Sequence, residues 1–472
     1  LVVLTVSTGI SGAYTSYQIQ KEYRIHARNL QQNEQVSDFS DEITPVISLT
    51  REGENVVVLF LDRAINSYFP IILEQFPELA SQYSGFVYYP NTVSYGAHTI
   101  SGAPPIMGGY EYTPDEMNAR DKERLVDKHN ESSLVLPILF SDAGYLVRLF
   151  NPPYSNYKGS GDYSVFQQYP EIDVMQLDGK LKDRYKRDHS DVLGGETAAI
   201  HTLIEQRLPV YALFKIVLPA LRSLLYDEGR YFLMQDSPHK LEYFLDAFST
   251  LYYLPELTDT DSNVPSYSFL VNDSTHRAVF LQAPYYEPQS LVTDIASPLQ
   301  SNPIYKLHEE SHYHINAASI LQVGKWLEYL KNKDVYDNTR IIIVADHGYN
   351  LSTPVFSHFK RNAKTYAYYN PLLLVKDFNT TGEIITDNQF MTNADVPIFA
   401  LTGIVENPEN PFTGNSLTEA IQKEEVNVYK IPYNPSSNRG NTFDLDLSQS
   451  FTIKNNIFIE DNWKPISSKG TR

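Results

Sequence analysis

Two short runs constrain this chain more than anything else in it. "ENVVVLFLD" and "TRIIIVADHG" each carry an unbroken apolar, β-branched stretch of strand length that ends in an acid, Asp62 in the first and Asp346 in the second. Asp346 is followed at once by His347 and Gly348. A run with no polar alternation belongs to a strand covered on both faces, as in a parallel sheet. Ligands of open parallel sheets sit beyond the carboxyl ends of the strands, so both acids are expected to face one crevice. A single strand-terminal Asp is ordinarily a turn residue or a helix cap. Two of them, with an imidazole beside one, make a metal site of oxygen and nitrogen ligands.

The remaining pattern fits the same architecture. Further strands are read at "NPLLLVKDF" from Asn370, "GYLVRLF" from Gly144, "SYSFLVND" from Ser266 and "HRAVFLQAPYY" from His276. Helical stretches lie between them, at "SSLVLPILFSDA", "LPVYALFKIVLPALRSLLYDE" and "INAASILQVGKWLEYLKNK", where Ala317, Ile320, Leu321, Leu327 and Leu330 recur at helical spacing. Strands alternating with helices predict an α/β fold with a doubly wound, mainly parallel sheet flanked by helices. After residue 420 the pattern changes to short alternating segments, "VNVYKIPY", "TFDLDLS" and "FTIKNNIFI", which read as a small antiparallel β subdomain. The division expected is a tether at 1–50, possible remnant of a removed membrane helix, a catalytic domain at 51–420 and the β subdomain at 421–472. "LVVLTVSTGISGAY" at the start is apolar or small but shorter than the roughly twenty residues that span a bilayer.

Composition excludes some classes of function. The formal charge of −19 without a basic stripe argues against nucleic-acid binding. The absence of Cys removes disulfides, Cys-zinc sites and thiol catalysis together.

A metal held by two carboxylates and an imidazole has room for a hydroxyl, which loses its proton more readily there and becomes a nucleophile. The candidate is Thr99, in "NTVSYGAHTISGAPPIMGGYEYTP". Small residues around it let the backbone turn tightly, and a helix N-terminus there would suit a phosphate-like group. Taken alone, the stretch also reads as a plain Gly/Pro loop.

With these residues in view, the sequence resembles the alkaline phosphatase superfamily, in the branch of sulfatase-like membrane phosphotransferases that includes lipoteichoic acid synthases and phosphoglycerol or phosphoethanolamine transferases. The resemblance covers residues 54–417. It rests on the first strand with its acid, on Thr99 with Gly108 and Gly109 after it, on "YDNTRIIIVADHG", and on "NADVPIFALTGI" followed by "NPFTGNSL". It implies metal ligands at Asp62, Thr99, Asp346 and His347, with Thr99 as nucleophile, and a divalent ion, manganese or zinc before magnesium or calcium. "FLVNDSTHRAVFL" places His276 near the substrate phosphate, and "VFSHFK" supplies His358 as a downstream substrate or second-metal histidine.

The chain also departs from that pattern. The relatives usually carry Glu where Asp62 stands, and Trp and Arg where "LFNPPYSNYKG" offers Asn151, Tyr154 and Lys158 as substrate contacts. Gram-negative phosphoethanolamine transferases tend to be disulfide-bonded, which points this Cys-free chain towards a Gram-positive-type envelope. Sulfatases make formylglycine from Cys or Ser in a Cys/Ser-x-Pro-x-Arg context, and Ser101 is followed by "GAPP".

The expected activity is an extracytoplasmic, metal-dependent phosphotransfer. A phosphoglycerol- or phosphoethanolamine-like group would move from a phospholipid to an envelope glycan or polymer through phospho-threonine, with the membrane attachment in a segment outside this chain. The alternatives are a phosphoester hydrolase of the same fold, a non-catalytic envelope binding protein, and a zinc peptidase. The last rests on "HEESH", with His308 and His312 as ligands and Glu309 as base.

Overall fold

The structure is a computed structural model that describes residues 42–159, 161–193, 221–222, 238–361, 363–417, 424–431 and 439–466. Its centre is an eight-stranded sheet. In chain order the strands are β1 (Asn55–Leu61), β2 (Phe86–Tyr88), β3 (Leu146–Phe150), β4 (Ile172–Met175), β5 (Ser266–Asn272), β6 (Thr339–Val344), β7 (Leu373–Lys376) and β8 (Ile385–Thr386). Their order across the sheet is β8-β2-β7-β6-β1-β5-β3-β4. Every pairing is parallel except those of β7, which runs against both β6 and β2. The "NPLLLVKDF" strand is therefore the one reversed member of a mainly parallel sheet.

The two founding runs lie side by side at its middle, with Phe60 opposite Val344. Their lack of polar alternation has the expected cause. Val57, Leu59, Leu61, Ile341 and Ile343 enter one core, while Val56, Val58, Phe60, Ile342 and Val344 enter another on the opposite face. The first core is closed by helices α3 (Pro238–Tyr252) and α4 (Leu307–Asn332), and the second by α1 (Thr99–Gly108) and α2 (Leu125–Asp142).

The helical residues read from Ala317 to Leu330 are all buried, but α4 begins earlier, so "HEESH" forms its first turns. The stretch from His276 is not a strand. Val279 and Leu281 are buried against α4, where the Leu281 amide meets His314 Nδ1 at 3.2 Å, so their apolar alternation serves a helix packing instead of a ladder. "LPVYALFKIVLPALRSLLYDE" lies outside the described residues apart from 221–222, as does most of the N-terminal tether. The end of that tether, Ile47–Thr50, is a strand paired with Thr258–Ser262, and it buries Ile47 and Leu49 in the first core.

Three antiparallel strands close the chain, Glu425–Lys430, Asp446–Lys454 and Trp463–Pro465. They bury Val428, Phe451, Ile453 and Trp463 in a third core together with Val93, Tyr95 and Ala97, the residues that lead into α1.

His129 ties α2 to the loop after β3, through Nε2 to the Pro153 carbonyl at 3.0 Å. Burial pushes this imidazole down to about 4 from its ordinary 6.5. The folded state thus stays neutral while the unfolded chain takes up a proton. The associated stability is complete above pH 6.5 and is lost as pH falls towards 4, a loss of about 3 kcal/mol. In urea titrations between pH 7 and 4, His129→Gln, which keeps a donor for Pro153, is expected to lose about that much less stability than the unsubstituted chain. Equal pH slopes in the two proteins would refute the assignment.

Candidate active site

The carboxyl ends of five adjacent strands converge on one place. Asp346 follows β6, Asp62 follows β1, Asp273 follows β5, Asn151 follows β3 and Gln176 follows β4. Asp62, Asp346 and His347 are buried together and present ligand atoms within 4.8 Å of one another, the one such group among the described residues. His347 Nε2 stands 4.0 Å from Asp62 Oδ1 and 3.5 Å from Asp346 Oδ2.

Each member is fixed by its backbone surroundings. The Asp62 amide donates to the Asn272 carbonyl at 3.0 Å, and the Asp62 carbonyl accepts the Thr275 hydroxyl at 2.6 Å. Asp346 Oδ1 accepts the amides of Arg63 at 3.2 Å and His347 at 2.9 Å. The His347 Nδ1–H donates to the Gly348 carbonyl at 2.6 Å, which leaves the Nε2 lone pair facing the two acids.

The remaining oxygens, Asp62 Oδ1 and Asp346 Oδ2, are buried with no hydrogen-bond partner. Burial raises both carboxyls, Asp62 well above the ordinary carboxylate range; the Asp346 charge raises Asp62 further, and a hydrogen bond from Thr99 opposes the rise at both. Burial also keeps His347 neutral, followed by the Arg63 charge. Two orphaned carboxylate oxygens and one free imidazole lone pair fit a divalent cation, and no polar group among the described residues satisfies those two oxygens.

Thr99 is the first residue of α1, with His98 as its extended N-cap. The Gly/Pro stretch is therefore a helix, buried along its whole length, whose positive end faces the acids. Its small residues serve close packing. A Cβ on Gly102 would stand 2.5 Å from the Asp346 carbonyl oxygen, so only glycine lets α1 lie against that strand end. Asn393 Nδ2 clamps the contact from outside, bonding the carbonyls of Gly102 at 2.8 Å and Asp346 at 3.2 Å. The C-terminal strands hold the approach: the Tyr429 amide bonds the Tyr95 carbonyl at 3.0 Å, and His98 Nδ1 bonds the Ile431 carbonyl at 2.8 Å.

A cavity of about 350 Å³ opens beside Thr99 and Asp62, lined also by Asn151, Lys158 and His276. His276 Nε2 lies 4.0 Å from Asp62 Oδ2. Asn151 belongs to the wall: its amide nitrogen bonds Asp178 Oδ1 and the Val271 carbonyl, both at 3.0 Å, and its oxygen accepts the Leu177 amide at 2.7 Å. Asn151, Tyr154, Asn156 and Tyr157 all have positive φ, a concentration of strain found where a loop is held for a purpose.

His358 is not brought to this place. Phe356 and Phe359 turn into the third core and leave His358 exposed against Phe359. "HEESH" is a helix start. Glu309 accepts the Lys306 amide at 3.2 Å, the Ser352 amide at 3.0 Å and Lys364 Nζ at 2.9 Å, so its carboxylate is engaged in holding the helix start, and His308 and His312 pack on Tyr349 with no third metal-capable side chain grouped with them among the described residues.

Arg63 and Asp273 are missing from the sequence reading. Arg63 stands in the left-handed region at φ 65°, directly after Asp62, with its guanidinium 4.3 Å from the Tyr349 ring centre and 2.9 Å from the His276 carbonyl. Asp273 was accessible to the rule that found Asp62, since "SYSFLVND" is a buried strand ending in an acid.

No protein-family model matches this sequence, and no curated protein matches it. Solved structures do resemble it. One is a protein in the alkaline phosphatase superfamily from Vibrio parahaemolyticus, 14% identical with TM-score 0.44, covering 90% of this chain and 84% of that one. Another is the lipoteichoic acid synthase LtaP from Listeria monocytogenes, 13% identical with TM-score 0.41, over 89% and 88%. A third is a phosphonate monoester hydrolase from Silicibacter pomeroyi, 14% identical with TM-score 0.43, over 85% and 89%. At this level of likeness no residue role transfers, and the chemistry has to be argued from the side chains.

Removing one charge of the acid pair should have opposite effects without and with metal. Asp346→Asn keeps the Oδ1 acceptor and turns the orphaned oxygen into a donor, so the metal-free variant is expected to melt several degrees higher than the unsubstituted chain. The rise in melting temperature that manganese or zinc gives the unsubstituted protein should vanish in the variant. A variant that melts lower without metal, or still responds to it, would show that the pair is not a cation site.

Proposed function

We propose that this chain is a metal-dependent phosphoester enzyme of the alkaline phosphatase superfamily, which uses Thr99 as nucleophile and passes through phospho-threonine. The observation that supports it most directly is a buried hydroxyl at the head of a helix, beside two carboxylates whose inner oxygens lack any donor.

Asp62, Asp346, His347 and Thr99 would hold the divalent ion, manganese or zinc, which supplies positive charge to acidify the hydroxyl and to oppose charge on the phosphoryl oxygens. The chain's own part is positional. Gly102 and Asn393 set the depth of α1, and with it the place of Thr99 Oγ. In the first displacement, the Thr99 Oγ–P bond forms as the bond to the departing alcohol breaks, and the alcohol leaves with a proton. In the second, an acceptor hydroxyl or water attacks the same phosphorus and Thr99 is released with its proton restored. Neutral His276 lines the cavity that also reaches Thr99 and Asp62, and it offers one N–H to an oxygen there.

The finer reading is transfer of a phosphoglycerol- or phosphoethanolamine-like group from a phospholipid to an envelope glycan or polymer, on the extracytoplasmic face. It takes its support from the covalent route, which lets an alcohol replace water in the second step. No helix among the described residues is long and apolar enough to cross a membrane, so attachment would come from a segment other than these.

Intact-mass spectrometry with peptide mapping, after incubation with manganese and mixed phospholipids, is expected to show an adduct on Thr99. Thr99→Ala should lose the adduct and on the order of 10³-fold or more of phosphodiester turnover. An adduct that persists in Thr99→Ala would move the nucleophile elsewhere.

A further inference from the structure

The cavity beside Thr99 carries a second chemistry that the phosphoryl step does not use. Beyond Asp62 and His276 its lining includes Tyr154, Tyr163 and Tyr243 together with two more acids, Asp178 and Asp273. Asp178 Oδ1 accepts one bond, from Asn151, and Asp273 Oδ2 accepts one, from the Tyr243 hydroxyl at 2.8 Å. An ionised carboxylate has about four lone-pair positions, so both retain unused acceptor capacity. Burial raises both acids, and the Asp273 charge raises Asp178 further, while the Tyr243 hydrogen bond opposes the rise at Asp273. The cations at this cavity lie at its margin: Arg277 is exposed and stacked 4.1 Å over the Tyr243 ring, and Lys158 is half-buried after the strained loop.

Two further observations point to an occupant. His276 lines the same cavity, yet its Nδ1 is buried without a partner among the described residues. The tyrosines discriminate between kinds of cation. A hard metal ion needs six or more oxygens, and Asp178 and Asp273 do not belong to the one group of three metal-capable side chains among the described residues. An organic ammonium needs only diffuse negative charge and aromatic faces.

We propose that this cavity receives an organic ammonium group, so that the phosphoester handled at Thr99 is zwitterionic, an amino-alcohol phosphate of the ethanolamine or choline type and not a glycerol phosphate. This rests on the reading of Thr99 as the phosphoryl-accepting residue. The phosphate lies at the acid pair and its metal, and the ammonium lies between Asp178, Asp273 and the tyrosines.

The test separates head-group recognition from catalysis. Choline, ethanolamine and glycerol are titrated calorimetrically into the full chain carrying Thr99→Ala and freed of metal, which cannot turn over a substrate. The two cations are expected to saturate one site while glycerol gives no heat. Adding Asp178→Asn should weaken the cations about tenfold or more, and adding Tyr163→Leu should weaken choline comparably with the acids intact. Either variant is accepted only if its near-ultraviolet dichroism matches the parent. No saturable binding of either cation would overturn the proposal, as would affinities unchanged in Asp178→Asn. So would a second equivalent of magnesium or calcium lost in that variant, which would make this a metal site. An unsubstituted protein that binds choline but forms no adduct on Thr99 would instead refute the catalytic reading and leave the head-group site standing.

Discussion

The structure is organised around two buried carboxylates, each with one oxygen that has no hydrogen-bond partner among the described residues. Asp62 and Asp346 end neighbouring strands whose register is locked by a ladder running from Asn55–Thr339 to Phe60–Val344. Neither side chain can withdraw, because the residues before each are buried in both cores. Charged groups in such surroundings lose several kcal/mol of hydration, and a like-charged neighbour adds to the loss. Only a cation recovers it. The neighbouring features are ordered with respect to that need: backbone amides occupy Asp346 Oδ1 and leave Oδ2 inward, and the Gly348 carbonyl selects the His347 tautomer whose lone pair points the same way.

Placing Thr99 at that point requires contributions from distant parts of the chain. Helix α1 approaches the Asp346 backbone as closely as a missing Cβ allows, and Asn393 fastens both partners. The turn into the helix is braced by the C-terminal sheet, through Tyr429 on Tyr95 and Ile431 on His98. The closing strands thus share a core with the approach to Thr99, and loosening that core would be felt at Thr99 before it was felt in the central sheet.

Much of this was legible in the sequence, for identifiable reasons. An unbroken apolar run that ends in an acid needs no partner to be recognised, and the expected crevice at the strand ends held Asp62, Asp346 and His347 together. The direction of β7 was not legible, because "NPLLLVKDF" has the same pattern whichever way it runs. His276 was placed by the strand before it, although the apolar residues after it follow a helix packing. His358 failed because a surface histidine between two buried phenylalanines looks like any other in one dimension. Asp178 was silent for a different reason. It gains meaning only where β4 lies beside β3 and the Asn151 side chain reaches across to it.

The charge state of the site follows from the same burial. Desolvation pushes His98, His276, His312 and His347 all below their ordinary value, and Arg63 reinforces the effect at each. Four imidazoles that could have been cations are therefore neutral, and the permanent positive charge at the floor of the site is the one guanidinium of Arg63. Against it stand Asp62, Asp346, Asp273 and Asp178. A divalent ion and Arg63 together leave that set still negative, and a phosphodiester adds one more charge. Attraction to a phosphoryl group at that inner end would then come from close, oriented contacts at the ion and the helix end, because the other two cations of the cavity, Lys158 and Arg277, stand at its margin. A substrate that brings its own positive charge to the acidic end reverses that penalty. On the proposed reading, the acids that look unfavourable for a phosphate would become the means of choosing which phosphate is admitted.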